Sequence, residues 1–593
     1  MGKHLFWVDS KEAALEKRVL SEYAGDEVRK HHEYLTTLTR IAGTDDERKA
    51  AEYIKGKLDE FGIEAEIYEF DAYISHPGEA ELEILSPVQK SFPSLAHGFI
   101  SSTPPEGIEA ELVPVGKGTA EDFRTKIVKG KIVLVESEGG DDQVRATEVV
   151  RIAEKNGAIG GVFVARGSPR SISYMRLRNA WGSPIPETID QIPKTPAISV
   201  CNEDGTFLAE LAGKSPVVVR LKAEAWRGYK KVRQPTGTLR GMKEPETYVL
   251  FATHYCSWYI GATDNAAANS LLLEMARLFS NHRKDLARSI RFAWWTAHSQ
   301  GTAGGSSWYA DNFWDDIRDH AFAYVNMDGL ARAGSSGFAP ENTEEIRKFQ
   351  EGVIREVLGL EVTSKRVSRS RDQSFWGIGV PYFSGETKVP PSPGRTRVWY
   401  SHAAEDTPDK ADLELLHIPF KANAVSVLRL CNNPILPFDY VTVLGVFKST
   451  LNELQEKSHS VLDLSSLITQ VEALEKKIEA LTVGIEKSLS DLEKKKKGAG
   501  LEKKLGVING CLTELCHIFM PVLSSKSGRY GQDPMGTKFK PIPTLQPLLE
   551  LISMEGQSDE FRALRTSLLR ERNRLSDALS LAHRTLDQTL DRI

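Results

Sequence analysis

Three apolar stretches, TYVLFATHY (247–255), SIRFAWWTAHS (289–299) and HAFAYVNMDGL (320–330), each carry a His or Asp at or near the carboxyl end. Runs this short and this apolar are buried strands rather than helices. Between and after them lie amphipathic helical patterns: AAANSLLLEMARLFSNH, EEIRKFQEGVIREVLGL and DLELLHIPFKANAVSVLRLC. Strands alternating with helices over 240–435 predict an α/β sheet covered on both faces. In such sheets ligands sit beyond the carboxyl ends of the strands, where the His and Asp residues fall.

The rest of the chain has a different character on each side. Ala51, Ile54, Leu58 and Phe61 recur at helical spacing before Gly62, and AEIYEFDAYI then alternates as a strand. From about 75 to 235, short strands (AELEIL, KIVLVE, IGGVFVA, TPAISV, VVVRLKAEA) stand between turn residues, with one or two helices, among them VRATEVVRIAEKNGA. This reads as a small β-rich domain inserted into a larger one. Residues 436–593 are helical. Leu467, Val471, Leu474, Ile478, Leu481 and Ile485 form an a/d seam that packs within its own domain or builds a dimer.

At 593 residues the chain exceeds a single core. A net charge of −5 carries no nucleic-acid footprint. The amino terminus shows no secretory pattern, and no apolar run is expected to reach the roughly 20 residues of a membrane span. Five cysteines without paired spacing do not form a disulfide framework. Cys511 and Cys516 are expected in a helical core. The expectation is a cytoplasmic protein without nucleic-acid or membrane partners.

His254, Asp264, Asp328 and His402 make a candidate oxygen/nitrogen metal site at strand ends and loops. Such ligands suit Zn²⁺ and also Mn²⁺ or Fe²⁺. Taken singly, a strand-end Asp is often a helix cap.

The stretches HYCSWYIGATDNAAA, WWTAHSQGTAGGSSWYADN, AYVNMDGL, RDQSFWGIGVPYFSGET and VWYSHAAEDTPDKADLELL together resemble the metal-site segments of the di-zinc aminopeptidase and glutamate carboxypeptidase II family. The insert resembles a protease-associated domain, and the tail resembles the helical dimerisation domain shared with the transferrin receptor. The resemblance implies a three-layer α/β mixed-sheet catalytic domain (1–74 and 236–435), a protease-associated insert (75–235), a helical dimerisation domain (436–593) and a homodimer. It implies that His254, Asp264 and Asp328 hold one metal, that Asp264 bridges to a second, that His402 binds the second, and that Asp406 supports the site from behind.

The sequence departs from the family at three positions. Where the family has two adjacent glutamates, a general base and a metal ligand, this chain has His298 and Ser299. Where an Asp supports the first His ligand, it has Cys256. Serine is a poor ligand, so one divalent ion, zinc first, is expected. His298 is a base or acid, a nitrogen ligand, or a filler in a dead site. Cys256 is a thiolate ligand or a small buried replacement for the Asp.

Tyr400 is a candidate oxyanion donor. Arg170, Arg176, Arg178, Arg369, Arg371, Arg395, Arg397, Tyr530 and Lys538 are candidate substrate contacts by position in the resemblance, arginine suiting a carboxylate. The expected activity is that of a metal-dependent hydrolase or lyase cleaving an amide or C–N bond in a small polar or peptide-like substrate. The alternatives are an inactive transferrin-receptor-like binding protein and a conventional metallopeptidase.

Overall fold

The computed structural model describes residues 3–136, 142–165, 167–389, 398–458, 461–494, 499–536, 540–556 and 558–593. The protein is a mixed α/β molecule with a large mixed sheet and a helical carboxyl-terminal region.

The strands, in chain order, are β1 (Glu64–Ser86), β2 (Lys90–Ala96), β3 (Ile108–Pro114), β4 (Ile132–Glu136), β5 (Gly160–Val164), β6 (Ala197–Val200), β7 (Val218–Leu239), β8 (Glu244–His254), β9 (Arg288–Trp295), β10 (Ala321–Met327), β11 (Phe338–Asn342), β12 (Lys365–Arg366) and β13 (Tyr382–Thr387). The apolar stretches with chemistry at their ends are β8, β9 and β10. They lie side by side and parallel, Phe251 of β8 facing Phe292 of β9 and Val325 of β10. β13 continues the parallel set beyond β10, and β11 closes it antiparallel. Because the central strands are covered on both faces, they are apolar throughout instead of alternating; every residue of β10 is buried.

The helix Ala267–Asn281 covers one face, buried through Leu271, Leu272, Met275 and Phe279. The helix His417–Asn432 contributes Phe420, Val425 and Leu428 to the same core.

β1 and β7 form one long antiparallel ribbon, Glu64 paired with Thr238 at one end and Ile84 with Val219 at the other. The carboxyl-terminal end of β7 pairs with β9, while its amino-terminal end pairs with β3. A second core gathers around the far half, including Leu82, Phe92, Ile132, Val162, Ile198 and Leu221. The composition change near 75 and 235 therefore falls inside continuous strands.

In the helical region the seam of the helix Ser465–Glu493 is buried at every expected position from Leu467 to Ile485. Its partner is the final helix Asp559–Leu590, which contributes Leu568, Leu575, Leu579 and Leu586. The seam is thus closed within the chain. One expectation needs correcting: Gly500–Ser524 is long and apolar enough to cross a membrane, at a mean hydropathy of 1.4. Its apolar residues are explained by burial, since Ile508, Leu512, Leu515, Cys516, Phe519 and Leu523 sit in the main core. All five cysteines are buried and unpaired.

Candidate metal centre

His254 is the last residue of β8 and Asp328 follows the last residue of β10, so adjacent parallel strands deliver them to one edge. Asp264 lies on the turn leading into the helix Ala267–Asn281. That turn requires Gly261 in the left-handed region (φ 57°), because a Cβ there would lie 2.4 Å from the Asp264 carbonyl oxygen. The side chain of Asn265 locks the two strand ends together: its Nδ2 donates to Thr253 Oγ1 (2.9 Å) and to the Met327 carbonyl (3.2 Å), and its Oδ1 accepts from Gly329 N (3.1 Å).

His254 Nε2 lies 3.3 Å from Asp264 Oδ1 and 3.5 Å from Asp328 Oδ1. Zinc–ligand bonds of about 2.0–2.2 Å at tetrahedral angles place ligand atoms about 3.3–3.6 Å apart. His254 Nε2 is buried and has no hydrogen-bond partner. Its Nδ1 contacts the Cys256 carbonyl oxygen at 3.0 Å, which makes Nδ1 the protonated nitrogen and leaves Nε2 as a donor to a cation. A buried imidazole nitrogen facing two carboxylate oxygens fits a divalent ion.

The second oxygen of Asp264 turns the other way and lies 3.4 Å from His402 Nε2. Asp264 thus presents the geometry of a bridging carboxylate, with His402 beyond it. Asp406 supports this loop from below, its carboxylate accepting from Thr263 N (3.0 Å), Thr263 Oγ1 (2.9 Å) and Asp264 N (3.1 Å). Burial, and then the nearby Asp264, push the Asp406 carboxyl up to about 6. Burial disfavours the charged imidazole of His254, but the facing carboxylates outweigh it and hold its pKa well above the ordinary value. Burial likewise works against ionised Asp264 and is outweighed by His254 and His402, so its carboxyl lies well below the usual range.

His298 and Ser299 open the short turn after β9. The His298 ring stacks on that of His254, with centroids 4.1 Å apart and planes within 8°. His254, His298 and Asp328 bring their potential ligand atoms within 4.8 Å of one another. Lone pairs lie in the ring plane, however, so two stacked imidazoles cannot both aim at one ion without a rotation. His298 Nδ1 instead faces Asp372 Oδ2 at 2.7 Å. The approach is off the N–H direction, so the contact is electrostatic, and neither atom has a hydrogen-bond partner among the described residues. Burial lowers the His298 pKa, opposed by Asp372 and reinforced by His254.

Cys256 does not turn its sulfur to the metal side. Its Sγ accepts from the backbone N–H groups of His298 (3.2 Å) and Ser299 (3.4 Å). The Ser299 carbonyl, with that of His298, accepts from Arg176 Nη1, each at 3.1 Å. Arg176 belongs to a strap, residues 171–178, laid across the site between β5 and β6. Tyr174 N donates to the His402 carbonyl (2.9 Å) and Ser171 Oγ to Glu405 (3.0 Å).

The other predicted contacts separate. Arg371 is committed to Glu386 (2.8 Å) and Glu341 (3.1 Å), with Asp328 4.0 Å away, so it balances the carboxylates instead of opening toward a ligand. Arg369 is buried between Trp181 and Trp376 and donates to the Asp533 carbonyl. Arg178 is buried over Phe99 and Tyr73. Arg170 stands at the surface, paired with Glu203 at 3.1 Å. Tyr530 is 78% exposed against Trp314. Tyr400 is buried with a hydroxyl that has no hydrogen-bond partner. Arg395, Arg397 and Lys538 lie outside the described residues.

Two participants were not singled out from sequence. Asp372 sits beside Arg371, both in the left-handed region (φ 61° and 54°), a conformation that costs non-glycine residues energy and gathers at functional sites. Arg40 is fully buried beneath the metal loop, donating to the carbonyls of Tyr255 (2.8 Å), Leu38 (3.1 Å) and Gly261 (3.1 Å).

Residues 236–426 match the family described as Peptidase family M28. Over 508 residues the chain is 25% identical to a probable glutamate carboxypeptidase of Zea mays, covering 72% of this chain and 70% of that one. It is 25% identical over 360 residues to carboxypeptidase Q of Homo sapiens, covering 58% and 72%. Among solved structures, an aminopeptidase from Aneurinibacillus sp. strain AM-1 superposes with a TM-score of 0.54 at 21% identity, over 70% of this chain and 96% of that one. A zinc aminopeptidase from Bacillus subtilis does so at 0.53 and 20%, over 68% and 94%; both show likeness of fold. With its strand-end ligands placed as described, residues 236–426 match peptidase family M28, a family of metal-dependent peptidases, and this likeness supports a peptidase-like hydrolase.

Proposed function

We propose that this protein hydrolyses an amide or other C–N bond in a small polar or peptide-like substrate, using one divalent ion, zinc first, and His298 as the proton carrier. The supporting observation is the site's asymmetry. One side of Asp264 offers His254 and Asp328 at tetrahedral spacing, while on the other, among the described residues, His402 is the ligand in reach and the family's second glutamate position is Ser299, a poor ligand.

When bound, the ion polarises a carbonyl and makes water more acidic. His254, Asp264 and Asp328 would hold it. His298, its Nδ1 toward Asp372, keeps Nε2 to take a proton from the attacking water and return it to the leaving nitrogen. Arg176 fixes the turn that carries His298 by gripping its carbonyl. The unpartnered Tyr400 hydroxyl is the candidate to steady the developing oxyanion.

The insert is proposed to act as a protease-associated module limiting access. The helical region is proposed to form a homodimer, which sedimentation at micromolar concentration tests. The five buried free thiols support a reducing, cytoplasmic location.

The decisive experiment is metal analysis of protein purified without chelator, followed by incubation with dipeptides and N-acyl dipeptides and detection of released amine by mass spectrometry. One bound equivalent with turnover is expected. Absence of metal even after reconstitution would favour the non-catalytic binding protein, the reading that loss of the glutamate pair invites.

A further inference from the structure

Three hydrogen bonds and one close ion-pair contact in series join the β-rich region that carries Trp181 to His298. Trp181 Nε1 donates to Ser374 Oγ (2.8 Å). Ser374 Oγ and Ser306 Oγ are 2.8 Å apart. Ser306 Oγ donates to Asp372 Oδ1 (3.0 Å). Asp372 Oδ2 faces His298 Nδ1 (2.7 Å). The side chains of Trp181, Ser306, Asp372 and Ser374 are all buried.

The direction of this chain follows from its ends. An indole N–H can only donate and a carboxylate can only accept. Ser306 spends its proton on Asp372, so it accepts from Ser374, whose oxygen in turn receives the indole proton. All hydroxyl protons therefore point toward Asp372. One carboxylate oxygen accepts from Ser306 at the rear, and the other faces the imidazole.

We propose that Trp181 is a positioning residue for His298: through Ser374, Ser306 and Asp372, the inserted region sets which ring nitrogen of His298 carries the proton. This rests on the reading of His298 as proton carrier. If the indole N–H is lost, Ser374 and Ser306 are free to reverse. Ser306 then turns its proton away, for which the Ala303 carbonyl at 3.4 Å is available. Asp372 loses the donor that orients it.

Packing alone does not account for this arrangement. The Trp181 ring lies against Ala303 and Met535 and under Arg369, 4.3 Å from its guanidinium. A phenylalanine would keep those contacts and remove only the N–H.

The test is Trp181→Phe in the full chain, labelled with ¹⁵N-histidine, with His298→Gln used to assign the His298 signals. In the metal-free wild type, Nδ1 should be the protonated ring nitrogen. In Trp181→Phe the two ring nitrogens should move toward a mixed tautomer. In the zinc-loaded protein kcat should fall about tenfold with KM unchanged, part of the roughly 10²–10⁴-fold that proton transfer supplies. Ser374→Ala breaks the same chain away from the interface and should reproduce the effect if Trp181→Phe does not fold. Unmoved His298 signals in a folded variant would overturn the proposal. Moved signals in a protein with no turnover in either form would uphold it and overturn the enzymatic reading instead.

Discussion

His254 and His298 lie face to face, 4.1 Å apart and within 8° of parallel, yet their outer nitrogens serve different partners. His254 turns toward Asp264 and Asp328, and His298 toward Asp372. In the proposed mechanism one imidazole holds a cation and its neighbour handles a proton. His298→Ala should therefore leave metal content at the wild-type value and cut turnover by about 10²–10⁴-fold. Loss of metal with the activity would make His298 a ligand, and full activity would remove it from the mechanism.

Among the described residues, the side of Asp264 facing His402 has no further carboxylate or imidazole recorded against it. Ser299→Glu restores a carboxylate there. The expected outcome is a rise from one to two metal equivalents by elemental analysis. If the count stays at one in a folded variant, another feature of the site blocks the second ion.

Arg40 is a buried cation whose hydrogen bonds go to backbone carbonyls around the metal loop. Burial pulls its pKa down to about 10, so it is charged at neutral pH. Removing it strands those carbonyls, at about 1–3 kcal/mol for each left unsatisfied. Arg40→Ala should lower stability by several kcal/mol (about 3 or more) in denaturant titration, and weaken metal retention because Gly261 is one of the anchored residues.

His97 provides a pH test remote from the metal. It is fully buried, contacts Ser199 Oγ at 2.8 Å and accepts from Met175 N at 3.3 Å, and burial pulls its pKa down to about 3. Between about 3 and about 6.5 the unfolded chain takes up a proton that the folded chain refuses, so this contribution to stability is lost as pH falls. From pH 7 to pH 5 the loss is about 2 kcal/mol, at about 1.4 kcal/mol per pH unit below 6.5. The stability gap between wild type and His97→Asn in urea should narrow by about that much at pH 5. A gap that stays constant would mean that His97 titrates alike in both states.

The sequence made the strand-end site legible because β8 and β10 are continuous apolar runs. A His or Asp ending such a run has few places to go except the carboxyl edge of the sheet. Asp372 was harder to see: its role depends on a left-handed loop and on Ser306 and Trp181, which are distant in the chain. The arginines show the same limit. Arg170 and Arg176 sit in one short segment of similar composition, yet one is exposed beside Glu203 and the other is buried under the His298 turn. Residue type alone does not distinguish them. The insert boundaries near 75 and 235 follow composition, but strand pairing runs straight through that change.

The β1–β7 ribbon has a mechanical consequence. Hydrogen bonding along both strands makes it a stiff beam, with irregular pairing between Pro77 and Ala80. That bulge lies between the two cores, so a swing of the outer core would bend the ribbon most readily there. Any such swing would lift Tyr174 and Arg176 from the loops of His402 and His298 together, since both travel on the same arm.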